Sequence, residues 1–481
     1  MLLSSPVIGH LVAAVRRVAL AGPAAWSAIV GGTALLIRLP LMFDPSPVIQ
    51  GDTRGYMSIA DEITHGGLGP YAILRPPGYP VFIGLVRQLP GRGVDNMIVA
   101  QHVLGVALAV GILLVGWRLF GKPAGILAGL IAAISLQLVA VEHELLSDYL
   151  FLVLVFSGTA VLAFAALGQS RRLLLITGLL FGMATLTKPL GQVLIVVAPL
   201  VLAILLRRWR PVVRRSLIVT LGIGLLVIPW VVRNEIATGH PVVSTIGDEI
   251  LFWRAFDSER QLPFVGHDAV TNMVRRLYAT EGRARNGGSE QTWAIRDVLQ
   301  RRGYSKYDAG VQERRMALRA IGAAPIAFAT DGARHFRAYA TTPAASMTDL
   351  SVGLIKPAYL RATTSAPSFV YRPIGSASWR VLEHVSILSG LWSFLTVFGL
   401  TGLLLLRSRD PAQRAGVVTF GSAWFVLGIA LGLIAVPDRE WGSARVTRRS
   451  APATQPARSL QPARRCRSTR PGGRSCRRTR R

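Results

Sequence analysis

Long apolar blocks alternate with short polar connections along most of the chain. Blocks that can span a bilayer, which takes about 20 residues, lie at 24–42, 96–117, 123–141, 149–168, 173–187, 190–206, 215–232, 384–406 and 414–436. The blocks are continuous rather than striped, so they predict helices surrounded by lipid or by other helices. The pattern therefore predicts an all-α polytopic membrane protein with about 9–11 transmembrane helices and an extracytoplasmic loop domain.

The apolar pattern divides the chain into four parts. They are an N-terminal transmembrane core, an extracytoplasmic loop region with short helices, a C-terminal transmembrane pair and an Arg-rich tail, at 1–235, 236–383, 384–436 and 437–481. Within the loop region, helical patterns are predicted near 268–280 and 290–320. Segments 321–340 and 352–360 are moderately apolar, and they are either re-entrant or interfacial helices or one more pair of spans.

Composition agrees with the membrane class. The 481 residues are 51% hydrophobic and only 16% charged, whereas about a quarter of the residues of a soluble domain are charged. The mean hydropathy is +0.42. The two cysteines, Cys466 and Cys476, both lie in the tail. The rest of the chain therefore has no disulfide framework and no thiolate metal site.

The net charge of +29 suggests a nucleic-acid partner only at first sight. Residues 441–481 contain 13 Arg and no acidic residue, which leaves +16 for the rest of the chain. Most of the other arginines flank membrane spans, where the positive-inside rule places them. We therefore predict membrane lipid, and no nucleic acid, among the partners.

The tail after residue 437 has two interpretations. It is either a disordered basic segment that touches anionic lipid or the out-of-frame end of a GC-rich gene, standing in place of further spans. The second interpretation is favoured, because the tail would put a basic cluster on the side of the membrane that the other clusters avoid.

Basic clusters predict the topology of the spans. Five of them flank or separate spans, at 16–17, 118–122, 171–172, 207–215 and 407–409. All five fall on one side of the membrane if the N-terminus is cytoplasmic. No cleavable signal is evident, so the first span is expected to stay in the protein. The expected location is the cytoplasmic membrane of a bacterium.

The first polar loop on the opposite side holds the leading candidates for chemistry. Asp52 follows Gly51, and Tyr56 comes one helical turn later. Asp52 is either a general base that takes a proton from a hydroxyl or the cap of a helix that begins near Thr53. Arg75 opens a stiff Arg-Pro-Pro-Gly-Tyr-Pro segment. It either meets a phosphate there or belongs to an interfacial Arg and Tyr belt.

Later spans begin or end with charges on the same predicted face. Glu144 and Asp148 are four residues apart and are expected on one side of a helix. With His143 they could form a metal site, or they could complement the helix dipole. Lys188 lies between two spans against the positive-inside trend, so it is either a functional cation or a snorkelling side chain. Arg233 follows the end of the seventh span.

These motifs resemble, in order and spacing, those of polyprenyl-phosphate-sugar-dependent glycosyltransferases of the GT-C superfamily. The most similar group is typified by the protein mannosyltransferases and the lipid A aminoarabinose transferases. The resemblance covers about residues 20–235 and, loosely, the outer loop and the last two spans. It rests on five motifs, which are Gly51-Asp52…Tyr56, Arg75-Pro76-Pro77-Gly78-Tyr79-Pro80, Leu146-Ser147-Asp148-Tyr149-Leu150, Leu186-Thr187-Lys188-Pro189 and Pro229-Trp230…Arg233-Asn234.

The resemblance implies a GT-C-like helical bundle that transfers a sugar, with inversion, from a polyprenyl-phosphate donor to an extracytoplasmic lipid, glycan or protein. The resemblance implies that Asp52, the general base, and Asp148 are catalytic. It implies that the donor phosphate is bound by Arg75, Lys188 and Arg233. It also implies that the substrate site is lined by Tyr56, Tyr79, His143 and Glu144. No metal ligand is assigned, and a requirement for a divalent metal stays open. The family usually has Arg at the position of Lys188 and further spans in place of the tail.

Two alternatives stay open beside the transferase. One is a transporter or flippase of lipid-linked sugars, and the other is an inactive, truncated homologue. A transporter predicts ionisable residues at mid-membrane and repeated halves with broken helices. No internal repeat is evident in the sequence, and its charges cluster at one face instead, which favours the transferase.

The predicted topology is tested with single cysteines at Ser58 and Arg118, after replacement of Cys466 and Cys476. An impermeant thiol reagent applied outside intact cells is expected to label Ser58→Cys and not Arg118→Cys, because the two positions lie on opposite sides. Permeabilised cells provide the control, in which both variants are labelled. Labelling of Arg118→Cys from outside would overturn the orientation.

Overall fold

The structure is a computed structural model, and it describes residues 22–43, 52–69, 73–90, 93, 95–256, 262–280, 289–341 and 410–434. The predicted segment 352–360, the predicted span 384–406 and the tail after residue 437 lie outside the described residues.

The described residues form sixteen α-helices and one short 3₁₀ helix, without a β-strand. The α-helices are α1 Pro23–Phe43, α2 Thr53–Thr64, α3 Gly78–Arg87, α4 Asp95–Phe120, α5 Lys122–Ile134, α6 Leu136–His143, α7 Asp148–Gly168, α8 Arg171–Thr187, α9 Leu194–Leu206, α10 Trp209–Thr238, α11 Ile246–Phe256, α12 Ala269–Thr280, α13 Ser289–Arg301, α14 Lys306–Ala323, α15 Pro325–Thr341 and α16 Pro411–Ile434. The 3₁₀ helix, Pro189–Val193, leads directly into α9.

Five of the described segments are long and apolar enough to cross a membrane. They are Pro23–Phe43, Asp95–Phe120, Asp148–Gly168, Pro189–Leu206 and Trp209–Thr238. Each coincides with a predicted apolar block, and the shorter helix α5 is also apolar. The prediction of an all-α polytopic membrane protein is confirmed.

One predicted span is broken. The block 123–141 forms two helices, because α5 ends at Ile134 and α6 begins at Leu136. Between them Ser135 is extended, with φ −67° and ψ 103°, and its hydroxyl accepts a hydrogen bond from the Leu138 N–H at 3.4 Å. A serine that caps a new helix in this way competes with continuation of the old one. The apolar pattern alone could not reveal this break.

The largest buried apolar cluster lies among α7, α8, α9, α10 and α16. Helices α8 and α10 approach each other closely where Gly178 faces Gly222. A Cβ atom on Gly178 would lie 2.2 Å from the Val219 carbonyl oxygen and 2.8 Å from the Gly222 Cα. Small residues at such crossings let membrane helices gain backbone contact.

A second apolar cluster joins α11 to α15, in the predicted loop region. The helical pattern predicted at 268–280 is confirmed as α12, and the pattern at 290–320 is divided between α13 and α14. The division falls near Gly303, whose φ of +90° favours glycine. Residues of the predicted segment 321–340 belong mainly to α15.

Charged groups are buried within this helical layer. Arg296 donates to Glu249 at 2.5 Å and also to Glu313, and all three side chains are nearly inaccessible. Burial raises the pKa of Glu313 to about 7; Arg296 opposes this shift, and the nearby carboxylates Glu249 and Asp248 add to it. Around Arg296, the buried acids therefore outnumber the one buried arginine that contacts them.

The glycine contact between α8 and α10 is tested by Gly178→Ala. The added methyl group has no space, so the helices must separate, and we expect a loss of about 1–3 kcal/mol of stability. Gly32→Ala in α1 is the matched control, because nothing lies within 4 Å of a Cβ there. Thermal unfolding in detergent should show a lower midpoint for Gly178→Ala alone. Equal midpoints for both variants would contradict the close crossing.

Candidate active site

Asp52 and Arg75 form an ion pair at the start of the described first loop. Helix α2 begins one residue after Asp52, which has the N-cap position but makes no side-chain capping hydrogen bond. Its carboxylate instead lies 2.5 Å from the Arg75 guanidinium. The capping interpretation of Asp52 is thus not supported. The Asp52 side chain is 57% exposed, whereas that of Arg75 is 14% exposed.

Arg75 is held between this carboxylate and an aromatic ring. Its guanidinium carbon lies 4.7 Å from the centroid of the Tyr56 ring, a cation–π distance. Burial disfavours the charged guanidinium, but Tyr56 and Asp52 outweigh that effect and raise the pKa of Arg75. Arg75 therefore stays a fixed cation beside a partly exposed carboxylate.

The glycine of the Arg-Pro-Pro-Gly-Tyr-Pro segment brings this loop to the end of α8. Gly78 is the first residue of α3. A Cβ atom there would lie 2.7 Å from the Leu186 carbonyl oxygen and 2.7 Å from the Thr187 hydroxyl oxygen. Only glycine permits this approach, which places the Arg75 loop next to the position of Lys188.

Asp148 and Lys188 form a second ion pair close by. Asp148 opens α7, and Lys188 follows the last residue of α8. Burial lowers the pKa of Lys188, but Asp148 together with Tyr56 and Asp52 raises it more, so the pKa is higher than usual. The influence of Tyr56 and Asp52 on Lys188 means that the two pairs belong to one electrostatic cluster.

Tyr56 connects the two ion pairs. Its hydroxyl lies 2.8 Å from the hydroxyl of Ser147, the residue before Asp148. Thr53, on the same helix, donates to the Leu145 carbonyl oxygen at 3.1 Å. Helix α2 is thereby tied to the bend that precedes α7. We call Asp52, Tyr56, Arg75, Asp148 and Lys188 together the paired-charge cluster.

The other predicted lining residues are buried. Tyr79 is fully buried, packs edge-on against Tyr56 at 5.1 Å, and donates from its hydroxyl to Gln101. His143 and Glu144 are 3% and 7% exposed. The expectation that Glu144 shares a helix face with Asp148 is wrong, because α6 ends at His143 and α7 begins only at Asp148.

Arg233 lies within α10, which continues to Thr238, and not after its end as expected. It donates to the carbonyl oxygens of Leu68 and Gly69 at 2.8 and 2.9 Å, and its guanidinium carbon is 5.2 Å from the Trp230 ring centroid. These contacts hold the segment that follows α2 against the end of α10. The structure brings Asp52, Arg75, Asp148 and Lys188 together, and it uses Arg233 to fasten the loop.

A buried polar network beneath the cluster was not predicted. Arg38 of α1 makes two hydrogen bonds of 2.7 Å to the Glu142 carboxylate. Glu142 also lies 2.8 Å from a ring nitrogen of His102, whose other ring nitrogen is 3.2 Å from His143. Gln101 contacts the same bend. The available signal was the presence of Arg38, Gln101 and His102 inside two apolar blocks, where polar groups are costly unless they are paired.

Within the described part of the chain, no group of three or more His, Cys, Asp or Glu side chains is arranged to hold a metal ion. The metal-site interpretation of His143, Glu144 and Asp148 therefore has no support in the described geometry.

Comparison with known families agrees with the resemblance drawn from the motifs. Residues 74–232 match the family model described as dolichyl-phosphate-mannose-protein mannosyltransferase. This match confirms the resemblance. It includes Arg75, Asp148 and Lys188, and it begins after Asp52. No curated protein matches the chain significantly.

Two solved structures show a distant likeness. One is the crystal structure of ArnT from Cupriavidus metallidurans bound to undecaprenyl phosphate, at 16% identity and TM-score 0.40, covering 85% of this chain and 77% of that one. The other is the apo state of the same protein, at 18% identity and TM-score 0.36, covering 83% and 76%. At such low values the superpositions support no inference about the site.

Proposed function

We propose that this protein is a membrane glycosyltransferase that moves a sugar from a polyprenyl-phosphate donor to an extracytoplasmic acceptor. The observation that carries the proposal is the paired-charge cluster, in which two carboxylates and two cations meet beside membrane-spanning helices. The family match over residues 74–232 supports the reaction class, because that family is described by a lipid-phosphate sugar donor. The sugar and the acceptor stay open.

Arg75 and Lys188 are the donor phosphate-binding residues in this proposal. Arg75 offers a planar fork that can meet a phosphate with two parallel hydrogen bonds, and Lys188 offers a point charge. Both cations retain a proton, since the neighbouring acids raise their pKa values. Fixed cations stabilise the charge that develops on a departing phosphate. Arg233 is left out of this role, because its donors already meet the carbonyl oxygens of Leu68 and Gly69.

Asp52 is the general base. It is the more exposed member of its ion pair, so an acceptor hydroxyl can reach it. The hydroxyl oxygen forms a bond to the anomeric carbon while the bond from that carbon to the phosphate oxygen breaks. The hydroxyl proton passes to Asp52, the electron pair leaves with the lipid phosphate, and the anomeric configuration inverts. Asp148 contributes by holding Lys188 in place.

The ion pair between Asp52 and Arg75 links donor binding to base activation. While Arg75 is bound to the carboxylate, one Asp52 oxygen lies 2.5 Å from the guanidinium and is not available to an acceptor hydroxyl. A donor phosphate competes for the same guanidinium and would release the carboxylate. The base is then freed in the presence of donor, which limits hydrolysis and unproductive proton transfer.

The general base is tested by Asp52→Asn, which keeps the shape of the side chain and removes its basicity. We expect transfer to fall by about 10²–10⁴-fold, the usual contribution of general-base catalysis. Asp61→Asn is the matched control, because Asp61 lies on the same helix and pairs with Arg87 at 2.5 Å with a similar exposure of 50%. Initial rates in proteoliposomes measure both. A rate for Asp52→Asn within a few fold of wild type would contradict the role.

The donor site is tested by Arg75→Ala. Loss of a charge-assisted contact of about 1.5–3 kcal/mol should weaken polyprenyl-phosphate-sugar binding roughly ten- to a hundredfold, with little effect on the acceptor. Arg75→Lys should recover only part of the affinity, because an ammonium group cannot form the guanidinium fork. Arg87→Ala is the control, because Arg87 ends α3 and pairs with Asp61 instead of Asp52. A larger effect on acceptor binding than on donor binding would exclude this assignment.

The transferase is distinguished from a transporter by its products. Reconstituted protein receives radiolabelled polyprenyl-phosphate sugar together with an extracytoplasmic extract as acceptor. The transferase produces free polyprenyl phosphate and a glycosylated acceptor. Intact donor that has moved between leaflets would instead identify a transporter, and the absence of both products would identify an inactive homologue.

A further inference from the structure

Gln101 lies inside α4, a helix that can span the membrane, and its side chain is fully buried. The amide oxygen accepts a hydrogen bond from the Tyr79 hydroxyl at 2.9 Å. The amide nitrogen donates to the carbonyl oxygens of Glu142 and Glu144 at 2.6 and 2.9 Å. A primary amide has two N–H donors and a carbonyl acceptor. Gln101 therefore uses both donors and its acceptor on groups of the protein.

The groups that Gln101 joins lead to the two halves of the paired-charge cluster. Tyr79 follows the Arg75-Pro-Pro-Gly segment and packs against Tyr56, so it fixes the segment that carries Arg75. Glu142 and Glu144 flank the start of the bend that ends at Asp148. Gln101 therefore adds a buried connection between the segment of the first ion pair and the bend before the second, beside the contacts that Tyr56 and Thr53 make with that bend.

The same bend is held a second time by the buried salt bridge. Arg38 fixes the Glu142 carboxylate with two hydrogen bonds, and the carboxylate lies directly over Gly105 of α4. A Cβ atom on Gly105 would lie 2.4 Å from the Glu142 Oε1. The Glu142 side chain is therefore held by Arg38 and packed against α4, and its main-chain carbonyl oxygen accepts a hydrogen bond from Gln101.

We propose that Gln101 is a positioning residue, which sets the distance between the Asp52–Arg75 pair and the Asp148–Lys188 pair. The inference rests on the proposed function, in which both cations must reach one donor phosphate. Gln101 touches no substrate. It acts through Tyr79 on one side and through the main chain of Glu142 and Glu144 on the other.

The chemistry of the position explains why glutamine serves there. An amide in an apolar helix is costly unless its donors and acceptor are satisfied. A Leu or Met would pack at lower cost, but it would leave the Tyr79 hydroxyl and two buried carbonyl oxygens without this partner. The bend could then move relative to α3, and small displacements of catalytic groups lower rates strongly.

The test compares Gln101→Met with Thr419→Val in purified full-length protein. Methionine matches the length of glutamine and removes all three hydrogen bonds. Thr419 is the matched control, since it is fully buried in α16 and bonds only within its own helix, to the Ala415 carbonyl oxygen at 2.6 Å. Both variants should lose some thermal stability. Only Gln101→Met should lose transfer per folded molecule, by roughly tenfold or more if the groups shift by about 1 Å.

A second measurement does not depend on turnover. The chain has four lysines, Lys122, Lys188, Lys306 and Lys356, so an amine reagent and peptide mass spectrometry report on each separately. Asp148 raises the pKa of Lys188. If Gln101→Met loosens Asp148, the labelling midpoint of Lys188 should fall to a lower pH, because an opposite charge that stabilises the ammonium form moves away. Lys122, which packs on Trp117, is the internal reference and should not change.

Tyr79→Phe separates the two sides of the contact. It removes one hydroxyl and retains the ring that packs on Tyr56. If Gln101 transmits position to Tyr79, the double variant should transfer sugar no more slowly than Gln101→Met alone, because residues that act as a unit are not additive. Multiplicative losses would overturn the transmission.

The outcomes keep this inference distinct from the proposed function. If wild-type protein transfers no sugar, the proposed function fails, and the Lys188 midpoint still decides the role of Gln101. If wild type transfers sugar while Gln101→Met has the wild-type midpoint and the wild-type rate per folded molecule, the positioning role is overturned and the transferase stands.

Discussion

A charged side chain near the hydrocarbon of a membrane must pair with an opposite charge. This requirement determines how the described membrane-spanning helices and their loops are arranged. The transfer of an isolated ion out of water is so costly that side chains in such places pair or neutralise. Arg38 meets Glu142, Arg75 meets Asp52, and Lys188 meets Asp148. Each pair joins residues from different helices or loops. The pairing therefore determines which helix ends lie together, and the candidate site is the place where two of these pairs meet.

The pairs differ in how freely they can exchange partners. Both members of the Arg38–Glu142 pair are fully buried, and removal of one partner from such a pair costs about 3–5 kcal/mol. Asp52 is more than half exposed, and exposed pairs contribute only about 0.2–1 kcal/mol. The deep pair is suited to hold helices together. The outer pair is weak enough for a ligand anion to replace one member, which a binding site requires.

Much of this architecture follows from the sequence, and what does not follow has a physical reason. Apolar blocks predict spans because backbone groups in lipid must be satisfied within a helix. An ion pair between Asp52 and Arg75 could be inferred from the sequence, since both residues lie in one short loop. The ion pair between Asp148 and Lys188 could not, because two residues on the same side of the membrane are not necessarily in contact. The network of Arg38, Gln101 and Glu142 could not be assembled, since it depends on how each helix is rotated and packed. The helix break at Ser135 depends on a capping hydrogen bond from the Leu138 N–H to the serine hydroxyl, and a hydropathy pattern cannot predict such a bond.

The excess of buried acid around Arg296 gives the layer of α11 to α15 a response to its surroundings. Glu313 has a pKa of about 7 in the folded layer, whereas the pKa of a glutamate in an unfolded chain is about 4.3. Between those values the folded form binds a proton that the unfolded form has released. Stability from this group is therefore fully present below about pH 4.3 and decreases as the pH rises toward 7. This helical layer would thus become more stable in acid, and the proton acts as one of the ligands of the fold.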